Sequence, residues 1–210
     1  MSHKIEQVFT APGPHPNGMQ ASAEGIWILD QHTNQVSLVA YKGEVLKTFD
    51  TESDRGSGIT ATSDALWIAS TYNCKIIKAN RASGKTLSEY PTAGAAKTGA
   101  HGLEWRGGKL WMAVPPSATI YQLDPERNCA VIHAIPAPGN RPHGIAWEGD
   151  DLWCVETTHR AIYRLNVKDG SIIDKIEIPE PYPEPHGMTR WEGNFWYCDA
   201  VSRAVCKVTP

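Results

Sequence analysis

The sequence of 210 residues lacks the features that mark secreted, membrane-spanning or nucleic-acid-binding proteins. It has only five cysteines, none in a CxxC pair, and no apolar run approaches the roughly 20 residues that cross a bilayer. The net charge of -3 and the lack of Lys/Arg clusters argue against a nucleic-acid surface. The amino-terminal segment has no apolar core of a secretory signal, so we expect a cytoplasmic protein with free thiols.

One short phrase returns five times along the chain, and the sequence is organised around it. Each copy has a glycine, then a short interval, then a tryptophan that follows an apolar residue. The glycines are Gly18, Gly58, Gly102, Gly144 and Gly187, and the tryptophans are Trp27, Trp67, Trp111, Trp153 and Trp196. The copies recur roughly every 40 to 44 residues, which is the length of one four-stranded propeller blade. We expect the tryptophans to pack between blades and the glycines to allow close approach of the innermost strands.

No segment shows an extended helical period, and each copy instead contains short β-type stretches. In the fourth copy, β-branched and aromatic residues alternate with polar ones and are separated by Asp/Gly turn signals. This pattern predicts strands at 144–147, 152–156, 161–165 and 171–178. The sequence therefore predicts a single all-β domain over residues 1–210.

The two ends of the chain complement each other. The fifth copy stops after its third strand, 204–208, whereas an additional strand, 5–12, precedes the first copy. Pairing the two ends completes the fifth blade and removes an open sheet edge. We therefore predict a five-bladed β-propeller closed by the amino-terminal strand; an open array of sheets is the alternative.

Polar residues occupy the two positions of each copy that a propeller brings to one mouth of its central channel. The residues before the glycines are Asn17, Ser57, His101, His143 and His186. The residues that end the second strands are Asp30, Ser70, Val114, Glu156 and Asp199. The loops that enter this mouth add His15, Arg55, Gly99, Arg141 and Glu184. Because only three copies carry the histidine, whereas all five keep Gly and Trp, we interpret the histidines as functional.

Three imidazoles with nearby carboxylates suit two kinds of chemistry. They can bind a divalent metal, since imidazole suits Zn, Fe or Ni and carboxylates add Mg or Mn. They can also exchange protons near neutral pH, with a carboxylate orienting each ring, as we expect for His143 with Glu156 and His186 with Asp199. The predicted metal ligands are His101, His143, His186, Glu184 and Glu156. The predicted substrate-binding residues are Arg55 and Arg141, for an anionic group, with Asn17, Asp30 and Ser57.

The phrase Pro-His-Gly followed by Leu-Trp or Phe-Trp resembles the blades of the virginiamycin B lyase (streptogramin lyase) family. Glu184-Pro185-His186-Gly187 is similar to the family segment that supplies a catalytic histidine. The resemblance implies that His186 is catalytic, that His143 is the second histidine and that Asp199 takes the place of an acidic residue. It also implies a magnesium-assisted elimination that breaks a C–O bond. The family ring has seven blades, and five blades leave a narrower channel.

These patterns lead to one preferred function and two alternatives. The preferred function is a metal-dependent lyase, or a hydrolase, that acts on a small polar or anionic molecule at the channel mouth. The second is a propeller that binds a ligand or metal without catalysing a reaction. The third is a protein-interaction scaffold, which is disfavoured because the polar residues cluster at one mouth rather than over a broad surface. Neither nucleic acid nor a membrane is an expected partner.

Overall fold

The computed structural model describes residues 3–209 and confirms the all-β class and the five-bladed propeller. Each of the five sheets has four antiparallel strands. Two short 3-10 turns, at Pro115–Ser117 and Pro125–Arg127, interrupt the third copy and have no counterpart in the predicted pattern. Within the described residues, no helix is long and apolar enough to cross a membrane.

The strands follow the repeat, with one first strand nearest the axis in every blade. Blade 5 contains β1 (Lys4–Thr10) and, from the other end of the chain, β18 (Met188–Trp191), β19 (Asn194–Cys198) and β20 (Ala204–Thr209). Blade 1 contains β2 (Pro16–Ser22), β3 (Gly25–Asp30), β4 (Gln35–Val39) and β5 (Val45–Asp50). Blade 2 contains β6 (Gly58–Ala61), β7 (Ala65–Ser70), β8 (Lys75–Asn80) and β9 (Thr86–Pro91). Blade 3 contains β10 (Gly102–Arg106), β11 (Lys109–Val114), β12 (Thr119–Asp124) and β13 (Ala130–Pro136). Blade 4 contains β14 (Pro142–Glu148), β15 (Asp151–Glu156), β16 (Ala161–Leu165) and β17 (Ile172–Glu177).

The amino-terminal strand closes the ring as predicted. β1 pairs antiparallel with β20, from Lys4 opposite Thr209 to Thr10 opposite Ala204, with one register shift between Gln7 and Phe9. The fifth blade therefore has the strand order β1-β20-β19-β18. This pairing joins the two ends of the chain in one sheet, and it gives β20, the third strand of blade 5, a partner on each side.

The repeated glycines let the first strands approach each other around the axis. A Cβ on Gly18 would lie 2.7 Å from the Ser57 carbonyl oxygen, and one on Gly58 would lie 3.0 Å from the His101 carbonyl oxygen. The series continues around the ring, and a Cβ on Gly187 would contact the Asn17 backbone and complete the circle. Because each obstacle is backbone of the next blade, a side chain at these positions would push the blades apart. The predicted role of the glycines is confirmed.

The repeated tryptophans pack between neighbouring blades, which is also as predicted. Trp67 of blade 2 joins the core cluster that contains Leu103 and Leu110 of blade 3, and Trp153 of blade 4 contacts Phe195 of blade 5 with ring centroids 5.0 Å apart. All five tryptophans are buried. The hydrophobic core thus consists of clusters between blades rather than one central core.

The axis itself is filled, which restricts any ligand to the two mouths. Met19, Ile59, Leu103 and Met188 line the axial space together with the glycines. The gaps between atoms there add up to about 150 Å³, and none admits a water molecule. We call the mouth at which the first strands begin the His mouth, defined by His101, His143 and His186, and the opposite end the far mouth.

Candidate functional site

The three predicted histidines meet at the His mouth. The ring centroids of His101 and His143 are 4.6 Å apart, and those of His143 and His186 are 5.2 Å apart, both in edge-on arrangements. They are held there because each precedes the glycine at which three adjacent first strands crowd together. His143 and His186 are 4% and 7% exposed, so these imidazoles border the mouth from within the protein. Residues more than 80 positions apart in sequence thus form one cluster, as the repeat predicts.

The hydrogen bonds fix the tautomers of two of these histidines. His143 Nδ1 lies 3.0 Å from the Arg141 carbonyl oxygen, which can only accept, so this nitrogen carries the proton. The neutral ring then has a lone pair on Nε2, which accepts a hydrogen bond from His101 Nδ1 at 3.1 Å. His101 is consequently left with a lone pair on Nε2. The Arg141 carbonyl thus fixes the His143 ring, and His143 fixes the His101 ring with its Nε2 lone pair free to accept a proton.

All three imidazoles are held in the neutral form. Burial, together with the charges of His186 and Arg141, lowers the pKa of His101 to about 4. Burial and the other two histidines place the pKa of His143 well below its usual value. Burial lowers the pKa of His186 as well, but Glu184 and Asp199 oppose this effect. His186 is therefore the member of the cluster whose protonated form has anionic neighbours to stabilise it.

Glu184 provides the closest of these anions. Its Oε1 lies 3.5 Å from His186 Nε2, whereas the Glu184 carbonyl lies 3.4 Å from His186 Nδ1. Arg160 approaches the second carboxylate oxygen at 3.8 Å, and it also donates to the Ile178 carbonyl at 3.2 Å. Arg160 therefore fixes the loop that carries Glu184. Arg160 was not among the predicted site residues; the equivalent positions of the other copies are Asn34, Cys74, Ala118 and Arg203, so a charged residue occurs there in only two of the five copies.

The carboxylates that end the second strands hold loops rather than imidazoles. Glu156 accepts hydrogen bonds from the backbone N–H of Arg141 at 2.8 Å and of His159 at 2.7 Å, one on each oxygen. Asp199 accepts from the Ser202 hydroxyl at 2.6 Å and from the Val201 backbone at 3.0 Å. The expected hydrogen-bonded pairs His143–Glu156 and His186–Asp199 are thus not formed. Asp199 still influences His186, through its charge rather than through a hydrogen bond.

Asp30, in the first blade, has the same position and the same function as Glu156. Its oxygens accept from the backbone N–H groups of His15, at 2.5 Å, and Thr33, at 2.9 Å. His15 in turn stacks on His32 with ring centroids 4.2 Å apart, and the charges of His32 and His186 contribute to lowering the His15 pKa after burial. These two further histidines extend the cluster on the blade 1 side. Only His15 was noticed in the sequence, since the repeat does not place His32.

The remaining predicted substrate-binding residues differ in exposure and in the contacts that they make. Arg141 is exposed, and its charge acts on all three histidines. Arg55 is exposed in the second blade, where its guanidinium lies over Tyr72 at 4.8 Å. Asn17 is buried, and its Oδ1 has no hydrogen-bond partner among residues 3–209. Ser57 accepts a hydrogen bond from Gln31 at 2.6 Å.

The donor atoms of the His mouth do not form a metal site as arranged. Among residues 3–209, no three His, Cys, Asp or Glu side chains come together in a group that could hold a metal ion. In the predicted set of His101, His143, His186, Glu184 and Glu156, both Glu156 oxygens bind backbone N–H groups and His143 Nε2 accepts from His101, so a metal ion would have to displace these hydrogen bonds. The side chains present do not fit a bound metal.

A recess beside Glu184 is large enough for a small molecule. It has a volume of about 430 Å³ and is lined by Arg160, Tyr182, Glu184, Asp199 and Ser202 among others. Two larger recesses, of about 550 and 560 Å³, are lined by residues away from the His mouth. None of the three recesses has His101, His143 or His186 in its lining, but the one beside Glu184 adjoins His186 through that residue. The thiols are not part of the site: Cys154 and Cys198 are buried, and burial raises the pKa of Cys198 to about 12.

Comparison with known proteins shows similarity of fold. No protein-family model matches the sequence, and no curated protein matches it. The structure is similar to glutaminyl cyclase from Myxococcus xanthus, with a TM-score of 0.78 and 9% identity over 97% of this chain and 95% of the cyclase. It is similar to a streptogramin B lyase, with a TM-score of 0.62 and 17% identity over 99% of this chain and 97% of the lyase.

A third comparison concerns a lyase in which a histidine has been replaced. The structure is similar to a catalytically inactive histidine-to-alanine variant of virginiamycin B lyase from Staphylococcus aureus with quinupristin. The TM-score is 0.60 and the identity 19%, over 99% of this chain and 71% of the lyase. At identities this low the likeness concerns the fold. The chain has a virginiamycin B lyase-like β-propeller fold.

Proposed function

We propose that the protein is an enzyme that removes a proton from a small polar or anionic substrate at the His mouth and so breaks a C–O bond. The observation that carries this proposal is the meeting of three neutral imidazoles from three blades, of which His143 and His186 are buried and His101 is partly buried. Two of them, His101 and His186, keep a lone pair on Nε2, because their Nδ1 atoms face acceptors. Neutral imidazole is the form that can accept a proton, and a lowered pKa keeps it available at neutral pH.

His186 is the proposed general base. When it takes a proton from the carbon next to a carbonyl, the resulting imidazolium lies 3.5 Å from Glu184 Oε1 and within the field of Asp199. The electron pair of the broken C–H bond forms a C=C bond, and the C–O bond on the next carbon breaks. The leaving oxygen takes a proton, which the imidazolium can return. The exposed Arg141 supplies positive charge for the enolate oxygen that develops during the reaction.

His101 and His143 have the complementary role. His143 is fixed by the Arg141 carbonyl and orients His101, so the pair presents a second base at a constant angle. Among residues 3–209, the charges that act on His101 and His143 come only from histidines and Arg141, which makes protonation of this pair less favourable than that of His186. In this proposal His101 accepts hydrogen bonds from the substrate and positions it.

The substrate lies above the axis and extends into the recess beside Glu184. The filled axis excludes entry into the channel, whereas the recess of about 430 Å³ is within the range of small-molecule sites. Arg160 in its lining, and Arg141 beside the three histidines, favour a substrate with a carboxylate or another anionic group.

The expected divalent metal, magnesium by resemblance, has no role in these steps. The chain offers no group of three ligands for it within residues 3–209, so the proposal relies on side chains alone. The metal expectation is tested by adding Mg, Mn or Zn to purified protein. A rise in melting temperature at micromolar metal would show a site that forms only on binding.

The proposal is tested by proton exchange in deuterated water. A panel of small carboxylic acids and esters with an oxygen substituent on the β-carbon is incubated with the protein, and loss of the α-proton signal is followed by NMR. We expect exchange or elimination with at least one member, and a loss of about 100-fold or more in His186→Gln. The control is His159→Gln, an exposed histidine of the same face. Equal rates in wild type and His186→Gln would contradict the proposal.

A second candidate function follows from the similarity in size to the cyclase. The glutaminyl cyclase structure matches over nearly its whole length, with the higher TM-score. A glutaminyl peptide therefore belongs in the same panel, with ring closure detected by mass spectrometry. Cyclisation that depends on His186, without any exchange on the β-oxygenated acids, would favour this alternative.

A further inference from the structure

The far mouth contains a recess that the proposed function does not use. All five first strands end there, because they run from the His mouth to the opposite end of the axis. The recess has a volume of about 310 Å³. Its lining includes Gln20, Glu104, Trp105, Arg106, Trp147 and Arg190.

Glu104 is a buried residue, and one of its two carboxyl oxygens makes no hydrogen bond within residues 3–209. Its Oε1 accepts hydrogen bonds from the Trp105 backbone at 3.0 Å and the Thr60 hydroxyl at 3.4 Å. No hydrogen bond within residues 3–209 involves Oε2, and this atom is not sealed from the recess. Burial raises the pKa of the Glu104 carboxyl to about 8. At neutral pH the free oxygen therefore carries a proton and is a hydrogen-bond donor.

Two further side chains of the lining are donors without a full set of acceptors. Arg190 donates to Glu148 at 2.6 Å through one terminal nitrogen. Gln20 Nε2 makes only long contacts, of 3.3 and 3.5 Å. Arg190 Nε and Trp147 Nε1 also lack partners within residues 3–209, but both atoms are sealed from solvent and do not reach the recess. A ligand that complements this lining must therefore offer acceptors to Gln20 and to the terminal nitrogens of Arg190.

Arg106 is held beside the recess by contacts at the protein surface. Its guanidinium lies over the Trp147 ring at 4.2 Å and donates to the Gly149 carbonyl as well as to Asp150. Its ion pair with Asp150 has an N···O distance of 2.7 Å, but the Asp150 side chain is completely exposed. Exposed pairs of this kind contribute little stability, so a ligand anion can replace Asp150.

We propose that the far-mouth recess binds a small carboxylate ligand. One ligand oxygen accepts the hydrogen bond from Glu104 Oε2, and the guanidinium groups of Arg106 and Arg190 bind the charge. Guanidinium and carboxylate match in shape and hydrogen bonding, which favours a carboxylate over a spherical anion. The hydrocarbon part of the ligand lies against Trp105.

The first test uses benzoate as the probe, with benzamide as its neutral equivalent and inorganic phosphate as a second oxyanion. The indole N–H signals of Trp105 and Trp147 report on the recess in NMR spectra of labelled protein. We expect these signals to shift in a saturable manner with benzoate, and far less with benzamide or phosphate at equal ionic strength. Equal shifts with benzamide would overturn the proposal, and tighter binding of phosphate would overturn the carboxylate assignment.

The second test uses variants. Glu104→Ala and Arg190→Gln should weaken benzoate binding by about tenfold or more, since each removes a charge-assisted hydrogen bond. Glu104→Gln keeps a neutral donor and should bind within about threefold of wild type. The control is Arg141→Gln, at the His mouth, with unchanged binding. Wild-type affinity in Glu104→Ala would overturn the proposal.

The pH dependence provides a third readout. Binding should weaken above about pH 8, as Glu104 loses the donated proton, and should stay constant over this range in Glu104→Gln. The strands β2 and β6 contribute only uncharged groups here, Gln20 and Thr60. The charged groups that face Glu104 from the other strands and hairpins are Arg106, Glu148, Asp150 and Arg190. A wild-type affinity that does not fall between about pH 7 and about pH 9 would contradict the role of Glu104.

Discussion

Lowering the pH should destabilise the protein, because its clustered histidines are kept neutral in the folded state. Replacing His101 allows the contribution of one of these histidines to be measured. The folded state keeps His101 neutral down to a pKa of about 4, compared with 6.5 for the free side chain. Between these values the unfolded chain binds the proton and the folded protein does not. The contribution of this histidine to the free energy of unfolding is therefore lost as the pH falls from about 6.5 towards about 4.

The size of the effect follows from the two pKa values. At about pH 5, the proton bound by the unfolded chain costs about 2 kcal/mol of stability for His101, whereas at about pH 7.5 the cost is close to zero. His143 adds to this loss in the same direction. Glu104 acts in the opposite direction, because its pKa is raised from 4.5 to about 8 and its contribution is lost as the pH rises between these values. The free energy of unfolding of the wild type therefore depends on pH through two opposing contributions. Comparing the wild type with a His101 variant isolates the contribution of His101.

The assay is urea denaturation of wild type and His101→Gln at about pH 7.5 and about pH 5. We expect the stability of the wild type relative to the variant to be lower by about 2 kcal/mol at the lower pH. The control is Ser57→Ala, which changes the same ring position in blade 2 without removing a titratable group, and its effect should be equal at both pH values. A change below about 0.5 kcal/mol for His101→Gln, or a change of opposite sign, would refute the assignment of a buried neutral imidazole.

Three further predictions concern the architecture. Gly102→Ala should lower the free energy of unfolding by about 3 kcal/mol or more, because the new Cβ would lie 2.9 Å from the His143 carbonyl carbon. Gly107→Ala, whose Cβ would meet no atom within 4 Å, should cost only about 1 kcal/mol for its positive φ in the same urea assay. Removal of residues 1–10 leaves the outer edge of β20 unpaired, and aggregation in size-exclusion chromatography is expected; a monomer with an unchanged melting temperature would contradict closure by β1. Asp199→Asn should lower stability by about 1–2 kcal/mol, since a charged acceptor of loop hydrogen bonds is lost, and a neutral result in thermal melts would contradict its loop-holding role.

The fold was predictable because its main determinants are repeated. Five glycines and five tryptophans at constant spacing identify five blades, and the missing strand at one end with the spare strand at the other identifies the closure. The predicted strand limits were within two residues of the observed ones: 161–165 matches β16 at both ends, whereas 5–12 compares with Lys4–Thr10 for β1. The two 3-10 turns in blade 3 escaped prediction, since they replace a loop that the other copies form without regular structure.

The convergence of the histidines was equally predictable, but their hydrogen bonds were not. A repeat fixes where each Cα lies relative to the axis, so His101, His143 and His186 had to meet. It does not fix which acceptor an imidazole finds. Backbone carbonyls two residues earlier compete with the carboxylates, and for His143 the carbonyl of Arg141 is the one bound. Arg160 and the recess beside Glu184 depend on loop conformation, which no repeat encodes.

The hydrogen bonds at equivalent positions of the blades distinguish residues that stabilise the ring from residues that have another role. At the ends of the second strands, Asp30, Glu156 and Ser70 differ in type, yet each accepts a hydrogen bond from a backbone N–H of the loop entering its own blade. In these three blades the residue changes while the hydrogen bond to the entering loop is kept, which indicates that these side chains hold the loops. In blade 5, Asp199 accepts instead from the loop that follows its own strand, and in blade 3 the position is Val114, which has no side-chain acceptor. The positions before the glycines behave in the opposite way: the Ser57 hydroxyl bonds Gln31, Asn17 Oδ1 has no partner within residues 3–209, and His101 and His143 bond each other. The side chains at these positions therefore have no hydrogen-bonding role in common. This favours the proposed role of the three histidines in binding a substrate over a role in stabilising the ring.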